Sequence, residues 1–103
     1  MRKISVNIWL LLVALFLGAN LKVQAQTWTL TGNMNAQRVQ PTATLLNNGE
    51  VLVTGGRTGN GANPTAELYN PSTGTFSYTG SMNTGRYGNA AALLPSGEVL
   101  IVG

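Results

Sequence analysis

The segment LLNNGEVLVTGG at residues 45–56 returns as LLPSGEVLIVG at residues 93–103. The same spacing extends upstream. Arg38 and Arg86 stand 48 residues apart, TGNMN at 31–35 falls on TGSMN at 79–83, and Trp28 falls on Phe76. Gly49 repeats as Gly97 and Gly55 as Gly103, and close to half of the overlapping positions are identical. A chain written in this way has to build one small unit and set its copies side by side.

Turn residues divide the unit. TATLL at 42–46 reads as a first strand, closed by Asn47-Asn48-Gly49 and, in the second copy, by Pro95-Ser96-Gly97. Proline suits the first central position of a type I turn, and glycine suits the left-handed position behind it. A second strand is expected at 50–54. VLV at 51–53 and VLIV at 99–102 are unbroken apolar runs, as in strands covered on both faces. RTGNGANP at 57–64 reads as a polar loop. TAELYN at 65–70 is the third strand, PSTG at 71–74 its turn, and TFSYT at 75–79 the fourth. The earlier copy of that fourth strand is TWTLT at 27–31. The small residues at 42–44 and 90–92 allow inner strands to crowd a central channel, although three alanines also permit a short helix. A period of 48 residues built from short, glycine-punctuated strands selects all-β propeller blades over helical solenoids.

The chain has 103 residues, 44% hydrophobic and 9% charged, with no Cys and no His. Its formal charge of +3 is carried by the N-terminus: Arg2, Lys3 and Lys22 lie there, while Arg38, Arg57 and Arg86 balance Glu50, Glu67 and Glu98. Without a basic cluster there is no track for a phosphate backbone, and nucleic-acid binding is rejected. The N-terminus has the pattern of an export signal over residues 1–25. Two cations precede the apolar run IWLLLVALFLGA, and Val23-Gln24-Ala25 fits a small-residue cleavage site that would leave Gln26 first. An uncleaved anchor is the other reading, but Ser5, Asn7 and Asn20 interrupt a run barely long enough to span a bilayer. A cleaved signal leaves no stable membrane span and places the protein outside the cytoplasm: secreted, periplasmic or on the cell surface.

With these residues in view, the sequence resembles the Kelch-repeat proteins of the secreted, galactose-oxidase-like propeller kind. The likeness rests on Gly55-Gly56 after the second strand and Tyr69 on the third. It rests also on Phe76 on the fourth, where the family usually has Trp, as Trp28 does in the other copy, and on Arg38 and Arg86 before the first strands. The resemblance implies an incomplete propeller of four-stranded antiparallel blades. Residues 27–32 would be a closing fourth strand, 38–83 one blade, and 86–103 the first half of the next. Propellers have about four to eight blades, so the expectation is a fragment or a truncated reading frame. Its mature part, residues 26–103, needs further blades or self-association to complete its fold.

Chemistry is sparse. GGRTGNG at 55–61 lacks the GK[ST] and GxGxxG spacings and the following helix of phosphate-binding loops, so it reads as an inter-strand loop. Arg38, Arg86, Glu50, Glu67 and Glu98 are read as blade contacts rather than acid–base pairs, since catalytic groups gather at one place. Arg57, on a loop, is the charged residue with functional promise. Tyr69, Tyr78 and Tyr87 invite comparison with the copper-radical oxidases that this fold hosts. Those enzymes need a Cys–Tyr cross-link and two His ligands, which this sequence does not contain, and Ser–His or Cys–His nucleophiles are excluded likewise. No catalytic residue, metal ligand or cofactor is assigned. The expected function is a non-catalytic module that binds protein or carbohydrate. The alternative is the N-terminal piece of a galactose-oxidase-like or sialic-acid-epimerase-like enzyme whose catalytic residues lie in other blades.

Overall fold

The computed structural model describes residues 27–103, so the export segment and its cleavage point at Ala25 and Gln26 lie outside the described residues. All regular structure among the described residues is β. The strands are β1 (Thr42–Leu45), β2 (Val51–Thr54), β3 (Arg57–Thr58), β4 (Gly61–Ala62), β5 (Ala66–Asn70), β6 (Thr75–Thr79), β7 (Ala90–Leu93) and β8 (Val99–Val102).

One blade is complete. Its sheet runs β1-β2-β5-β6, each pair antiparallel, with Thr44 opposite Leu52, Leu52 opposite Leu68, and Tyr69 opposite Phe76. The Tyr69 and Phe76 rings meet at 4.8 Å between centroids, tilted by 42°, a cross-strand aromatic pair of the kind that stabilises a hairpin. β7 and β8 form a second, two-stranded sheet in the register of β1 and β2: Ala92 faces Leu100 as Thr44 faces Leu52. Ala90–Leu93 is therefore strand, not helix, because pairing with β8 outweighs the weak β-propensity of alanine. The sheets do not close on one another into a ring; the architecture is an incomplete propeller.

Side chains alternate across each sheet. Leu52, Thr54, Ala66 and Leu68 share the face that looks toward the second sheet, where Val99 and Ile101 look back across a cleft of about 420 Å³. The opposite faces are barer than apolar runs covered on both sides would be. Leu100 and Val102 are 49% and 57% exposed, and Leu45 is 66% exposed. Leu100 and Val102 are the repeat-equivalents of Leu52 and Thr54, which line the cleft.

Two segments depart from expectation. Residues 57–64 are not a plain loop: β3 and β4 form a two-rung hairpin, and Arg57 pairs with Val39 through N–H···O bonds of 2.7 and 3.0 Å. Gly59 and Asn60 turn this hairpin, and Gly61 takes a left-handed φ of 111° behind them. TWTLT at 27–31 forms no strand here. A strand exists by pairing, and no β-neighbour lies beside it; Trp28 and Leu30 stand fully exposed. The segment is tied only at its end, where the Gly32 amide donates to the Gly74 carbonyl at 2.8 Å and Thr31 Oγ1 lies 2.6 Å from the Tyr69 hydroxyl.

The turns after β1 and β7 share one form. The Gly49 amide donates to Leu46 O and the Gly97 amide to Leu94 O, with φ of 88° and 89°. Gly97→Val forces a β-branched side chain into this left-handed conformation, and a loss of about 1–2 kcal/mol is expected in denaturant melts. An unchanged midpoint would show that the turn tolerates another backbone.

Candidate functional site

Charged and aromatic side chains collect along the rim made by the β2–β5 connection and the runs leading into β1 and β7. They fall into two groups, one buried and spent, one exposed and free.

The buried group centres on Glu67, which is 0% exposed in the middle of β5. Residues 34–38 cross over this face and bring Arg38 onto it, 3.0 Å from Glu67 Oε2, with both side chains fully buried. Every N–H of the guanidinium is used. Nε and Nη2 reach Glu67 at 3.2 and 3.0 Å, Nη1 donates to the Gly55 and Thr65 carbonyls at 2.7 and 2.9 Å, and Nη2 also reaches Thr65 Oγ1 at 2.9 Å. Glu67 Oε1 accepts from the Asn35 amide at 2.6 Å and from Asn35 Nδ2 at 3.0 Å, and Oε2 accepts from the Ala36 amide at 3.3 Å. This pair has nothing left to offer a ligand. It pins the segment preceding β1 to the middle of the blade.

Burial alone would raise the Glu67 pKa, but the hydrogen bonds from the Asn35 amide, the Arg38 guanidinium and the Asn35 side chain outweigh it and hold the carboxyl below its usual range. A folded-state pKa lowered in this way adds stability that is present above the unfolded value and lost as pH falls through the folded one. The denaturation midpoint is therefore expected to drop on acidification below about pH 4. Glu67→Gln should flatten that part of the profile; an unchanged slope would assign the acid sensitivity to other groups.

The double glycine belongs to the same construction. Gly55 and Gly56 are buried with φ of 67° and 93°. The Gly56 amide donates to the Arg86 carbonyl at 2.8 Å, and a Cβ on Gly55 would lie 2.3 Å from that oxygen. Two neighbouring runs pass through one point here, and only glycine leaves room. Arg86 repeats half of what Arg38 does: its Nη1 donates to Gly103 O at 2.6 Å, as Arg38 Nη1 does to Gly55 O.

The exposed group is Arg57 and Tyr87. The guanidinium carbon sits 5.8 Å from the centroid of the Tyr87 ring, a cation–π stack at the surface. Tyr87 is 47% exposed and Arg57 is exposed. Arg57 is the one arginine whose guanidinium takes no hydrogen bond among the described residues. Two features of strain lie beside it. Gln40 holds a left-handed φ of 56°, unusual for a residue with a Cβ. The buried amide of Asn89 has neither its nitrogen nor its oxygen partnered. Such departures concentrate where binding is done.

The sequence singled out Arg57 but missed its aromatic partner. Tyr87 aligns with Val39, so the pair stands where the repeat departs from itself, and Gln40 aligns with Gly88, also at positive φ. Gly49 and Gly97 lie away from this rim, in turns at the other end of the blade, and Trp28 lies in the strandless segment 27–31. Tyr69 and Phe76 pack within the blade near those turns. The three arginines and Gly55, Gly56 and Gly103 meet at the rim.

No curated protein matches the chain. Residues 41–83 match the family model of the Kelch motif. That span holds β1 to β6, the whole four-stranded blade, and the buried arginine stands just ahead of it. Residues 41–83 thus carry the Kelch motif as one four-stranded blade of β-propeller type, followed by two strands that repeat its opening register.

Proposed function

We propose that this chain is part of an exported, non-catalytic propeller module that binds a protein partner on the rim around Arg57 and Tyr87. The observation that carries this reading is the stacked, exposed Arg57–Tyr87 pair, whose guanidinium is unused, while Arg38 is spent inside the fold and Arg86 donates to Gly103 O. Kelch repeats commonly mediate protein interaction, and arginine beside an exposed tyrosine is the composition of binding hot spots. The test compares partner recovery by the full chain with recovery by Arg57→Gln and Tyr87→Ser. Both variants should lose the partner while keeping the wild-type denaturation midpoint; retention by both would sink the reading.

A second reading is carbohydrate, favoured by the open face of Tyr87 on which a sugar ring can stack. Glycan-array binding abolished by Tyr87→Ser but not by Arg57→Gln would select it.

Export rests on the N-terminal pattern. N-terminal sequencing of exported material should begin at Gln26, and recovery of intact residues 1–25 in membranes would overturn cleavage. Completion of the fold by further blades or by self-association rests on the bare faces at Leu45, Leu100 and Val102. Size-exclusion chromatography of the mature chain should show assemblies larger than a monomer.

A further inference from the structure

The hairpin on this rim carries a reactive dipeptide. The sequence has two Asn-Gly pairs, Asn48-Gly49 and Asn60-Gly61. Both asparagines occupy the second central position of a tight turn, and both glycines follow in the left-handed conformation, at φ of 88° and 111°. In such a pair the glycine amide, unshielded by a side chain, can attack the asparagine amide carbon.

The side chains are held differently. Asn48 Nδ2 donates to Glu50 Oε2 at 2.9 Å, and Asn48 Oδ1 accepts from the Glu50 amide at 3.0 Å, so both ends of its amide are tied. The Gly49 amide, the attacking atom there, is engaged with Leu46 O at 3.0 Å. Asn60 is exposed, and its side chain takes no hydrogen bond among the described residues; only its backbone amide is held, by Thr58 Oγ1 at 3.2 Å. Open space surrounds Gly61. Asn48 is anchored in the four-stranded blade, whereas Asn60 sits on a hairpin of two rungs, which opens at far lower cost.

We propose that Asn60 is a site of spontaneous deamidation and that Asn48, in the same Asn-Gly dipeptide, is protected. The Gly61 nitrogen bonds to Asn60 Cγ, the Cγ–Nδ2 bond breaks, and ammonia departs with the amide proton. Water then opens the resulting succinimide at either carbonyl, leaving aspartate or isoaspartate. A carboxylate thereby arises on the same hairpin as Arg57, and isoaspartate adds a methylene to the main chain of the turn. The modification acts as a slow clock on the rim.

The test is peptide mapping by mass spectrometry of the full chain after incubation at mildly alkaline pH. Trypsin separates the two sites, cutting after Arg38, Arg57 and Arg86 to give peptides 39–57 and 58–86. Conversion at Asn60 should exceed that at Asn48 by roughly tenfold, the worth of one or two hydrogen bonds. In concentrated urea the two rates should reach parity. Glu50→Ala, which cuts one tether of Asn48, should raise its rate in the native chain. Faster or equal conversion at Asn48 under native conditions, a difference that persists in urea, or an Asn48 rate unmoved by Glu50→Ala would each overturn the proposal.

Discussion

Replacing Glu67 with alanine is expected to destabilise the blade by about 3–5 kcal/mol, enough to abolish a cooperative transition in a chain with so small a core. The loss comes less from the attraction removed than from what is left behind. Arg38 is fully buried, and without Glu67 its charge has only the Gly55 and Thr65 oxygens for company. The Asn35 and Ala36 amides lose their acceptor at the same moment. Removing both charges, as in Arg38→Met with Glu67→Leu, should cost less than Glu67→Ala alone, because no buried ion is orphaned. Chemical denaturation of the three variants would show this order. A Glu67→Ala midpoint matching wild type would mean that the pair is not closed in solution.

Gly55→Ala is expected to cost about 2–4 kcal/mol, combining overpacking with left-handed strain. One methyl group would be placed 2.3 Å from Arg86 O at a φ of 67°. The carbonyl cannot retreat without breaking its bond from the Gly56 amide. Gly49→Ala is the control: its φ is also positive, but no atom lies within 4 Å of the added carbon, so only the conformational cost of about 1–2 kcal/mol remains. Amide exchange should show Gly56 unprotected in Gly55→Ala and unchanged in Gly49→Ala. Equal losses in both would reduce the crossing at Arg86 to backbone strain alone.

Turn residues made the strands legible, because glycine and proline bound them, and the Gly49 turn recurs at Gly97. Thr42–Leu45, Val51–Thr54, Ala66–Asn70 and Thr75–Thr79 all fall inside the segments so marked. What the pattern hid was partnership across distance. Arg38 announces itself by recurring as Arg86, but Glu67 has no second copy in the sequence to align, and nothing local ties it to a residue 29 positions earlier. The β3–β4 hairpin was hidden by its size: two residues a side are too few to show alternation against a background of Gly and Asn. TWTLT carries the alternation of a strand, yet strand is a property of pairs, and among the described residues no strand pairs with it. The Arg57–Tyr87 stack was legible only by inversion, in the places where the two copies disagree.

The joint between repeats has a consequence for how such a chain comes into being. The Gly56 amide is satisfied by Arg86 O, and the Pro64 carbonyl by the Met82 amide. The connection inside one repeat is thus finished by atoms of the run that leads into the next. On a ribosome, where residues emerge in order, the blade's hairpins can zip as they appear, but its rim stays unlatched until the following repeat's first residues arrive. Construction therefore proceeds like zipping a row of teeth, each latch closed by its successor. An injury to one repeat is felt first by the one made before it.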